Sequence, residues 1–201
     1  FHLPSARHLT VAGKGVSDGP HEIESWGMVL RSRADRRQPS SVDELQALFD
    51  EARQSGRQVG LRGSGLSYGD ASLAADTLFL DMTAMRGILA WDRESGVLKA
   101  EPGLRLRDVW RLVLPDGWWP PVVSGTMMTS LGGAAAMNIH GKNGVQVGPI
   151  GDHIRAFEIM LSSGERRVCA REENAERFHA ASGGFGVRGV FTWSVIAMKR
   201  V

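Results

Sequence analysis

Residues 124–143, SGTMMTSLGGAAAMNIHGKN, decide how this chain folds. They contain a glycine pair (132–133), an alanine run (134–136) and a polar end (138–143). Glycine lets the main chain approach a ligand closely and adopts positive φ at little cost. A segment made of such small residues is a poor core strand, so we expect a large, flat ligand to lie against it. The alternative is a tight turn that follows a buried, alanine-rich helical turn.

The composition is that of a globular protein and narrows the classes of function. At 201 residues, of which 42% are hydrophobic, the chain can form one large core or two small lobes. The net charge is only +2 and the basic residues are dispersed, so we expect no nucleic-acid partner. Cys169 is the only cysteine and the histidines are scattered, so we expect no metal site. No apolar run is long enough to span a bilayer and the first residues lack a signal-peptide pattern, so we expect a cytoplasmic protein.

Hydrophobic periodicity and turn residues predict an α+β fold in two lobes, at about 25–90 and 91–201, after an N-terminal arm at 1–24. Ser41 and Glu44 have the spacing of a capping box, and Gly56 is placed to end the same helix. The other predicted helices begin near residue 104 and at residue 174. The predicted strands are 28–34, 57–61, 78–80, 97–101, 154–161, 166–169 and 190–198.

The glycines are concentrated in three clusters, and two lie outside the stretch described first. Residues 63–69 follow a predicted strand, and their backbone N–H groups, with the hydroxyls of Ser64 and Ser67, can form a nest for a phosphate. Residues 183–189 match G-x-G-x-x-G but follow a helix and precede a strand. This order is the reverse of the one in dinucleotide-binding folds, so a nicotinamide-type Rossmann fold is disfavoured. Any one cluster alone is more often a turn, but three together favour a large cofactor held by main chain.

Five elements together resemble the N-terminal, PCMH-type FAD-binding domain of the vanillyl-alcohol-oxidase-type, FAD-linked oxidases. Within that family they are most similar to the decaprenylphosphoryl-β-D-ribose 2′-oxidases. The elements are RGSGLSYGD (62–70), LDMTAM (80–85), GT (125–126), GGAAAMNIHGKN (132–143) and GDHIRAFEIM with the following GE (151–165). The resemblance runs from about residue 26 to residue 201. It implies a small α/β lobe, a larger lobe with a mostly antiparallel sheet, and FAD in the cleft between them.

The resemblance also implies which residues hold the cofactor. The FAD pyrophosphate would be wrapped by Arg62, Gly63, Ser64, Gly65, Leu66, Ser67 and Tyr68. The flavin and its ribityl chain would be lined by Gly125, Thr126, Ser130, Gly132, Gly133 and Ala136. The isoalloxazine ring would lie beside Asn138, Ile139, His140 and Gly141, with Asn143 in the same cofactor set and Val190 at the adenine end. Several family members attach FAD covalently through a histidine at the position that Leu66 occupies here. Leucine has no nucleophilic nitrogen, so we expect FAD to be bound noncovalently.

Three side chains are candidates for catalysis. His140 is the only one of six histidines inside a glycine-framed polar motif, where it would orient a substrate hydroxyl or, alternatively, pack on the loop. Tyr68, the sole tyrosine, either meets the flavin with its hydroxyl or packs against its neighbours. Lys142 either attracts an anionic substrate group or is simply solvated.

The implied reaction is oxidation of an alcohol carbon of a sugar-like substrate by hydride transfer to flavin N5. The substrate would be a sugar or a polyprenyl-phospho-sugar, and we expect membrane contact only in the second case. The alternatives are an aldonolactone or alditol oxidase, and a flavin-binding module without turnover. Family members carry a substrate-binding domain after the FAD domain, and we expect that domain to be missing from this chain, so these residues alone are not expected to turn over substrate.

Overall fold

A computed structural model describes residues 20–201. The strands are β1 (Pro20–Glu24), β2 (Arg31–Arg37), β3 (Val59–Arg62), β4 (Leu78–Asp81), β5 (Ile88–Asp92), β6 (Val97–Ala100), β7 (Trp118–Trp119), β8 (Ile154–Met160), β9 (Arg166–Ala170), β10 (Val190–Ala197) and β11 (Lys199–Arg200). The α-helices are α1 (Val42–Ser55), α2 (Leu106–Val113), α3 (Leu131–Ala136), α4 (Gly144–Val147) and α5 (Ala175–Ala181). Short 3₁₀ turns lie at Met82–Ala84, Leu114–Asp116 and Ile150–Asp152.

Helix α1 begins and ends where its capping residues predict. The Ser41 hydroxyl accepts a hydrogen bond from the backbone N–H of Glu44 at 3.1 Å, and Gly56 ends the helix with φ of 65°. The capping box is displaced by one residue, because the Glu44 carboxylate accepts from the backbone N–H of Ser40, at 2.7 Å, and not from that of Ser41. The buried face of the helix consists of Leu45, Phe49 and Ala52.

The first lobe is a four-stranded sheet in the order β1-β2-β4-β3. Strands β2, β4 and β3 are parallel, and β1 adds an antiparallel edge. All four residues of the central strand β4 are buried, as expected for a parallel strand covered on both faces. Leu78 and Leu80 pack against α1 on one face, while Phe79 packs with Ile23 and Ala34 on the other.

The second lobe is built on a five-stranded antiparallel sheet in the order β5-β6-β10-β8-β9. Helices α2, α3 and α5 cover one face of this sheet and share one apolar core with it. At the centre of that core the ring of Phe157 stacks on Phe178, with centroids 5.1 Å apart, and meets Phe191 edge-on at 4.9 Å. The predicted mostly antiparallel sheet is therefore confirmed.

The two lobes share part of one core. Met160 of β8 and Val190 of β10, which belong to the second lobe's sheet, are buried in the cluster formed by α1 and β4 of the first lobe. The predicted lobe boundary at 90/91 falls within β5, which is hydrogen-bonded to β6 of the second lobe. The sheets place the change of lobe between β4 and β5.

The segment before β2 differs from its prediction. Strand β2 begins at Arg31, because residues 26–30 form the exposed turn of the β1–β2 hairpin, with Met28 at φ of 57°. Apolar residues at 28–30 gave a strand signal although they lie at the tip of a turn. The last five residues of the predicted arm form β1, whose sequence PHEIE buries only Ile23. The rest of that arm, residues 1–19, lies outside the described residues.

Candidate functional site

A cleft of about 680 Å³ lies between the two lobes, and all three glycine clusters contribute to its walls. It is lined by all but three of the residues proposed for the site: Arg62, Gly63, Ser64, Gly65, Leu66, Ser67, Tyr68, Gly125, Thr126, Ser130, Gly132, Gly133, Ala136, Asn138, Ile139, His140 and Val190. No aspartate or glutamate lines the cleft in the described part of the chain. Among the described residues, Arg62 is the only formal cation in the lining, so the site suits an anionic ligand with apolar parts.

Strand β3 leads directly into the first glycine loop, residues 63–69. Arg62, the last residue of β3, packs under this loop through its side chain. The guanidinium donates to the backbone carbonyls of Ser72, at 3.2 Å, and Glu24, at 3.0 Å. A side chain at Gly65, which has φ of 68°, would overlap this guanidinium. Burial lowers the pKa of Arg62, but a guanidinium is so strong a base that the group stays charged at neutral pH. A fixed positive charge therefore lies next to the loop.

The loop is held against α3 by one hydrogen bond between the lobes. The Ser130 hydroxyl, which is buried at the N-terminus of α3, accepts from the backbone N–H of Ser64 at 3.2 Å. A Cβ at Gly63 would overlap this Ser130 oxygen, so only glycine lets the loop come so close. The hydroxyl of Ser64 is buried and has no hydrogen-bond partner in the described residues.

Helix α3 presents Gly132, Gly133 and Ala136 to the cleft, and it buries Leu131, Ala134 and Ala135 in the cores. Gly132 packs on Pro102, whose carbonyl accepts from the Gly132 N–H at 2.8 Å. A Cβ on Gly133 would lie 3.1 Å from the Ser130 hydroxyl and meet no other atom within 4 Å. Together with Ala136, Gly133 leaves a wall without bulky side chains on the cleft side. The segment proposed to be free of bulk next to a flat ligand is thus a short helix.

After α3 the chain turns sharply and reaches the cleft rim. Asn138 has φ of 43°, and its side-chain carbonyl accepts from the backbone N–H of Gly151 at 2.9 Å. His140 is exposed at the rim and has no hydrogen-bond partner among the described residues. Tyr68, on the opposite loop, is also at the cleft and is 83% exposed. Of the two alternatives for Tyr68, this exposure disfavours packing.

The remaining three proposed residues do not line the cleft. The backbone N–H of Lys142 donates to Val123 at 3.1 Å, and the side-chain amide of Asn143 donates to Pro121 at 2.9 Å. Gly141 lies so close to the Val123 carbonyl that a side chain would overlap it. Gly141 and Asn143 therefore hold 121–123 in place, and their expected cofactor contacts stay predictions. Lys142 is exposed outside the lining.

The third glycine cluster, residues 183–189, also lines the cleft, although none of its residues was predicted to do so. Phe185, Gly186 and Gly189 line the cleft, and the backbone N–H of Phe185 donates to the carbonyl of Ala136 at 2.9 Å. The G-x-G-x-x-G match in this cluster disfavoured a Rossmann fold, but it did not predict which residues line the cleft. Trp26 of the β1–β2 turn is a further lining residue that we did not expect.

The lining fits FAD in three respects. The first loop offers a buried, unpartnered hydroxyl at Ser64 and a half-buried cation at Arg62, both of which suit a pyrophosphate. The bare face around Gly133 accepts a flat ring. The absence of carboxylates in the described lining avoids repulsion of the phosphates.

Other kinds of site find no support in the described residues. Within residues 20–201 there is no group of three or more histidine, cysteine, aspartate or glutamate side chains placed to hold a metal ion. Over the same range, no helix is long and apolar enough to cross a membrane. Cys169 is buried in the core of the second lobe, where burial raises the pKa of its thiol, and it lies away from the cleft.

Comparison with known proteins agrees with the geometry. A family described as FAD binding domain matches residues 36–170. The decaprenylphosphoryl-beta-D-ribose oxidase of Mycolicibacterium smegmatis is 32% identical over 178 residues, covering 88% of this chain and 39% of that protein. A putative D-arabinono-1,4-lactone oxidase of Neurospora crassa is 28% identical over 77% of this chain and 28% of its own length. The L-gulonolactone oxidase of Mus musculus is 27% identical over 76% of this chain and 34% of its own length. The chain thus spans about two fifths or less of these relatives.

Proposed function

The chain belongs to the FAD binding domain family, and from that premise we propose that it is the cofactor domain of an oxidoreductase acting on an alcohol carbon of a sugar-like substrate. The observation that carries the proposal is the cleft between the lobes, in which a phosphate-binding loop, a bare helix face and an exposed histidine meet. A nucleotide-binding module alone would need the first two features. The free imidazole at the rim favours an enzyme.

The main chain does most of the binding in this proposal. The N–H groups of residues 63 and 65–69 and the hydroxyl of Ser64 bind the pyrophosphate, and the charge on Arg62 balances it. The Ser64 N–H is already used by Ser130. Gly133 and Ala136 form the wall against which the ribityl chain and the ring lie. When bound, FAD supplies a two-electron acceptor for hydride at flavin N5.

Three polar side chains at the rim are left for the substrate. His140 is placed to hydrogen-bond the substrate's carbinol oxygen, because its ring has no other partner in the described residues and stands at the open side. Tyr68 faces the same opening and offers a phenolic hydroxyl. Lys142 is exposed outside the cleft lining, where its charge attracts an anionic substrate toward the rim without contacting the ring.

The substrate class is proposed from the relatives' names. They are oxidases named for a decaprenylphosphoryl ribose and for two aldonolactones, all of which are sugar derivatives. A polyprenyl-phospho-sugar is the narrower choice, since the chain is more similar to the ribose oxidase than to the two lactone oxidases just described. Contact with a membrane surface would follow from that substrate, and otherwise we propose a cytoplasmic enzyme.

The test uses the full-length protein loaded with FAD and kept free of oxygen. We expect the visible flavin absorbance to bleach with one member of a panel of polyprenyl-phospho-riboses, aldonolactones and alditols. Bleaching by an alditol or a lactone alone would select the alternative oxidase activity. An FAD-loaded protein that no member reduces, but that dithionite does, would instead be a flavin-binding module without turnover.

We also predict that FAD is bound without a covalent bond. Leu66 occupies the place where several family members carry the linking histidine, and its side chain has no nucleophilic atom. After acid precipitation of the loaded protein, the yellow colour should be found in the supernatant. Colour that remains in the washed pellet would contradict the prediction.

A further inference from the structure

We propose that Phe185 is an aromatic platform on which the adenine ring of FAD stacks. The proposal rests on the proposed function in one respect, namely that the cleft binds FAD. It concerns a residue that neither the motif pattern nor the similarity to other oxidases assigns.

The backbone at Phe185 has a conformation that disfavours a phenylalanine. Its φ is 56°, and its neighbours Gly183 and Gly186 have φ of 80° and 77°. Bulky residues rarely occupy this left-handed region, whereas glycine and asparagine do so at little cost. The hydrogen bond from the Phe185 N–H to Ala136 fixes the conformation. A phenylalanine here therefore needs a reason beyond the turn itself.

Core packing does not supply that reason. The Phe185 side chain is 60% exposed and belongs to none of the apolar clusters of the two lobes. It lines the cleft instead. An exposed aromatic ring at the wall of a nucleotide cleft is suited to stack on a base.

The surroundings of Phe185 select the adenine ring over the flavin ring. Its loop packs against the end of β3, where a Cβ on Gly186 would lie 3.2 Å from Leu61, and continues into Val190 and Phe191. These lining residues are apolar and the latter two are buried, which suits a base that takes no part in the reaction. The flavin ring must be open to substrate, and the exposed His140 marks that side of the cleft.

The experiment compares wild type with Phe185→Asn in full-length, flavin-free protein, using three probes. Asparagine tolerates the left-handed conformation, so the melting temperature of the flavin-free protein should not fall. The dissociation constant of FAD should rise about tenfold, within the range for loss of one base–aromatic stack. ADP contains adenine but no flavin. Its inhibition constant, measured in competition with FAD for the cleft, should rise by the same factor. Affinity for FMN, which lacks adenine, should be unchanged.

Two further variants make the result specific. Phe185→Tyr keeps an aromatic ring and should retain wild-type FAD affinity. Val187→Asn is the matched control, because Val187 belongs to the same loop, is 84% exposed and does not line the cleft. Its FAD affinity should equal that of wild type.

Several outcomes would overturn the proposal. Unchanged FAD and ADP constants in Phe185→Asn would remove Phe185 from the site. An equal loss of affinity for FMN would place the ring on the flavin instead of the adenine. A melting temperature that falls together with FAD affinity would make Phe185 a packing residue. Failure of wild type to bind FAD at all would refute the proposed function, and that result is distinct from the three others.

Discussion

At the scale of single residues, Ser130 shows how a polar side chain connects the two lobes. It stands at the N-terminus of α3, where serine usually caps its own helix, but its hydroxyl makes no such bond. The oxygen accepts from Ser64 in the opposite lobe. The first glycine loop, residues 63–69, is therefore already fixed against α3, which reduces the conformational entropy that binding a ligand there would remove.

His140 provides the prediction at this scale. Replacement by alanine should slow anaerobic reduction of the bound flavin by about a hundredfold or more, as loss of a group that assists proton transfer does. The affinity for FAD should change little, since the main chain around His140 is held by other residues. Stopped-flow reduction of the full-length enzyme at saturating FAD, with a substrate found in the bleaching panel, measures the effect.

His179→Ala is the matched control, because His179 is exposed on α5 and does not line the cleft. Its reduction rate should equal that of wild type. Weakened FAD binding with an unchanged reduction rate in His140→Ala would favour the alternative in which His140 only packs on its loop.

At the scale of elements, sequence periodicity predicted most of the fold. Helix α1 was predictable because Ser41 and Gly56 are local signals that lie at its two ends. Strand β1 was not, because four of its five residues are polar or proline and its partner β2 supplies the missing information. The exposed apolar turn at 26–30 shows the opposite error, since propensity cannot tell a buried apolar run from an exposed one.

The candidate site was also predictable in part, because the spacing of its glycines is a local signal in the sequence. Glycine spacing identifies loops that contact a ligand, and those loops do converge on one cleft. Spacing does not tell on which side of a loop a side chain points, so it could not show that the Asn143 amide donates to Pro121. Phe185 was missed because a phenylalanine in a glycine loop carries no signal until its φ is known.

Helix α3 provides the prediction at this scale. Gly133→Val should fold, because the new Cβ would meet only the Ser130 oxygen at 3.1 Å, but its methyl groups would occupy the bare wall of the cleft. Steric overlap of this kind costs roughly 1–3 kcal/mol. We therefore expect the affinity for FAD to fall at least about tenfold. Flavin bound per protein, read from the absorbance ratio after dialysis, measures this loss.

Gly144→Val is its control outside the cleft lining, since a Cβ there would have only an ordinary contact with the Cβ of His140, at 3.6 Å. It should keep full occupancy. If Gly133→Val also stays fully loaded, the bare face of α3 is not where the flavin lies.

At the scale of the whole molecule, an ionic cluster of Asp35, Arg37 and Arg57 contributes to the stability of the first lobe. The Asp35 carboxylate of β2 accepts hydrogen bonds from Arg37 at 2.9 Å and from Arg57 at 2.9 Å, and its side chain is only 16% exposed. The bond from Arg37, joined by Arg57, lowers the pKa of Asp35, although burial acts in the opposite direction. This carboxylate connects the sheet to the segment that follows α1.

We predict that Asp35→Asn lowers the free energy of unfolding at pH 7 by about 1–3 kcal/mol. Because the folded pKa of Asp35 lies below the ordinary value of 3.8, the unfolded chain binds more protons at low pH. The stabilisation is therefore present above that value and is lost as the pH falls through the folded pKa. Denaturant unfolding at pH 7 and at about pH 3 should show a smaller difference between variant and wild type at the lower pH.

Glu172→Gln serves as the reference, because Glu172 is exposed and forms no ion pair among the described residues. The free energy of unfolding of Glu172→Gln should match that of wild type at both pH values. A deficit in Asp35→Asn that persists unchanged at low pH would show that the ionised form of Asp35 does not stabilise the fold.

The shared core of the two lobes has a consequence for synthesis on the ribosome. Leu45, Leu78 and Leu80 are made early, but Met160 and Val190, which complete their cluster, emerge much later. The nascent first lobe must therefore keep an incompletely covered apolar face while the second lobe is still being translated. Chains of this kind are exposed to aggregation and to chaperone binding during that interval. Strand β10, which lines the cleft through Val190, thus also completes the core of the first lobe late in translation.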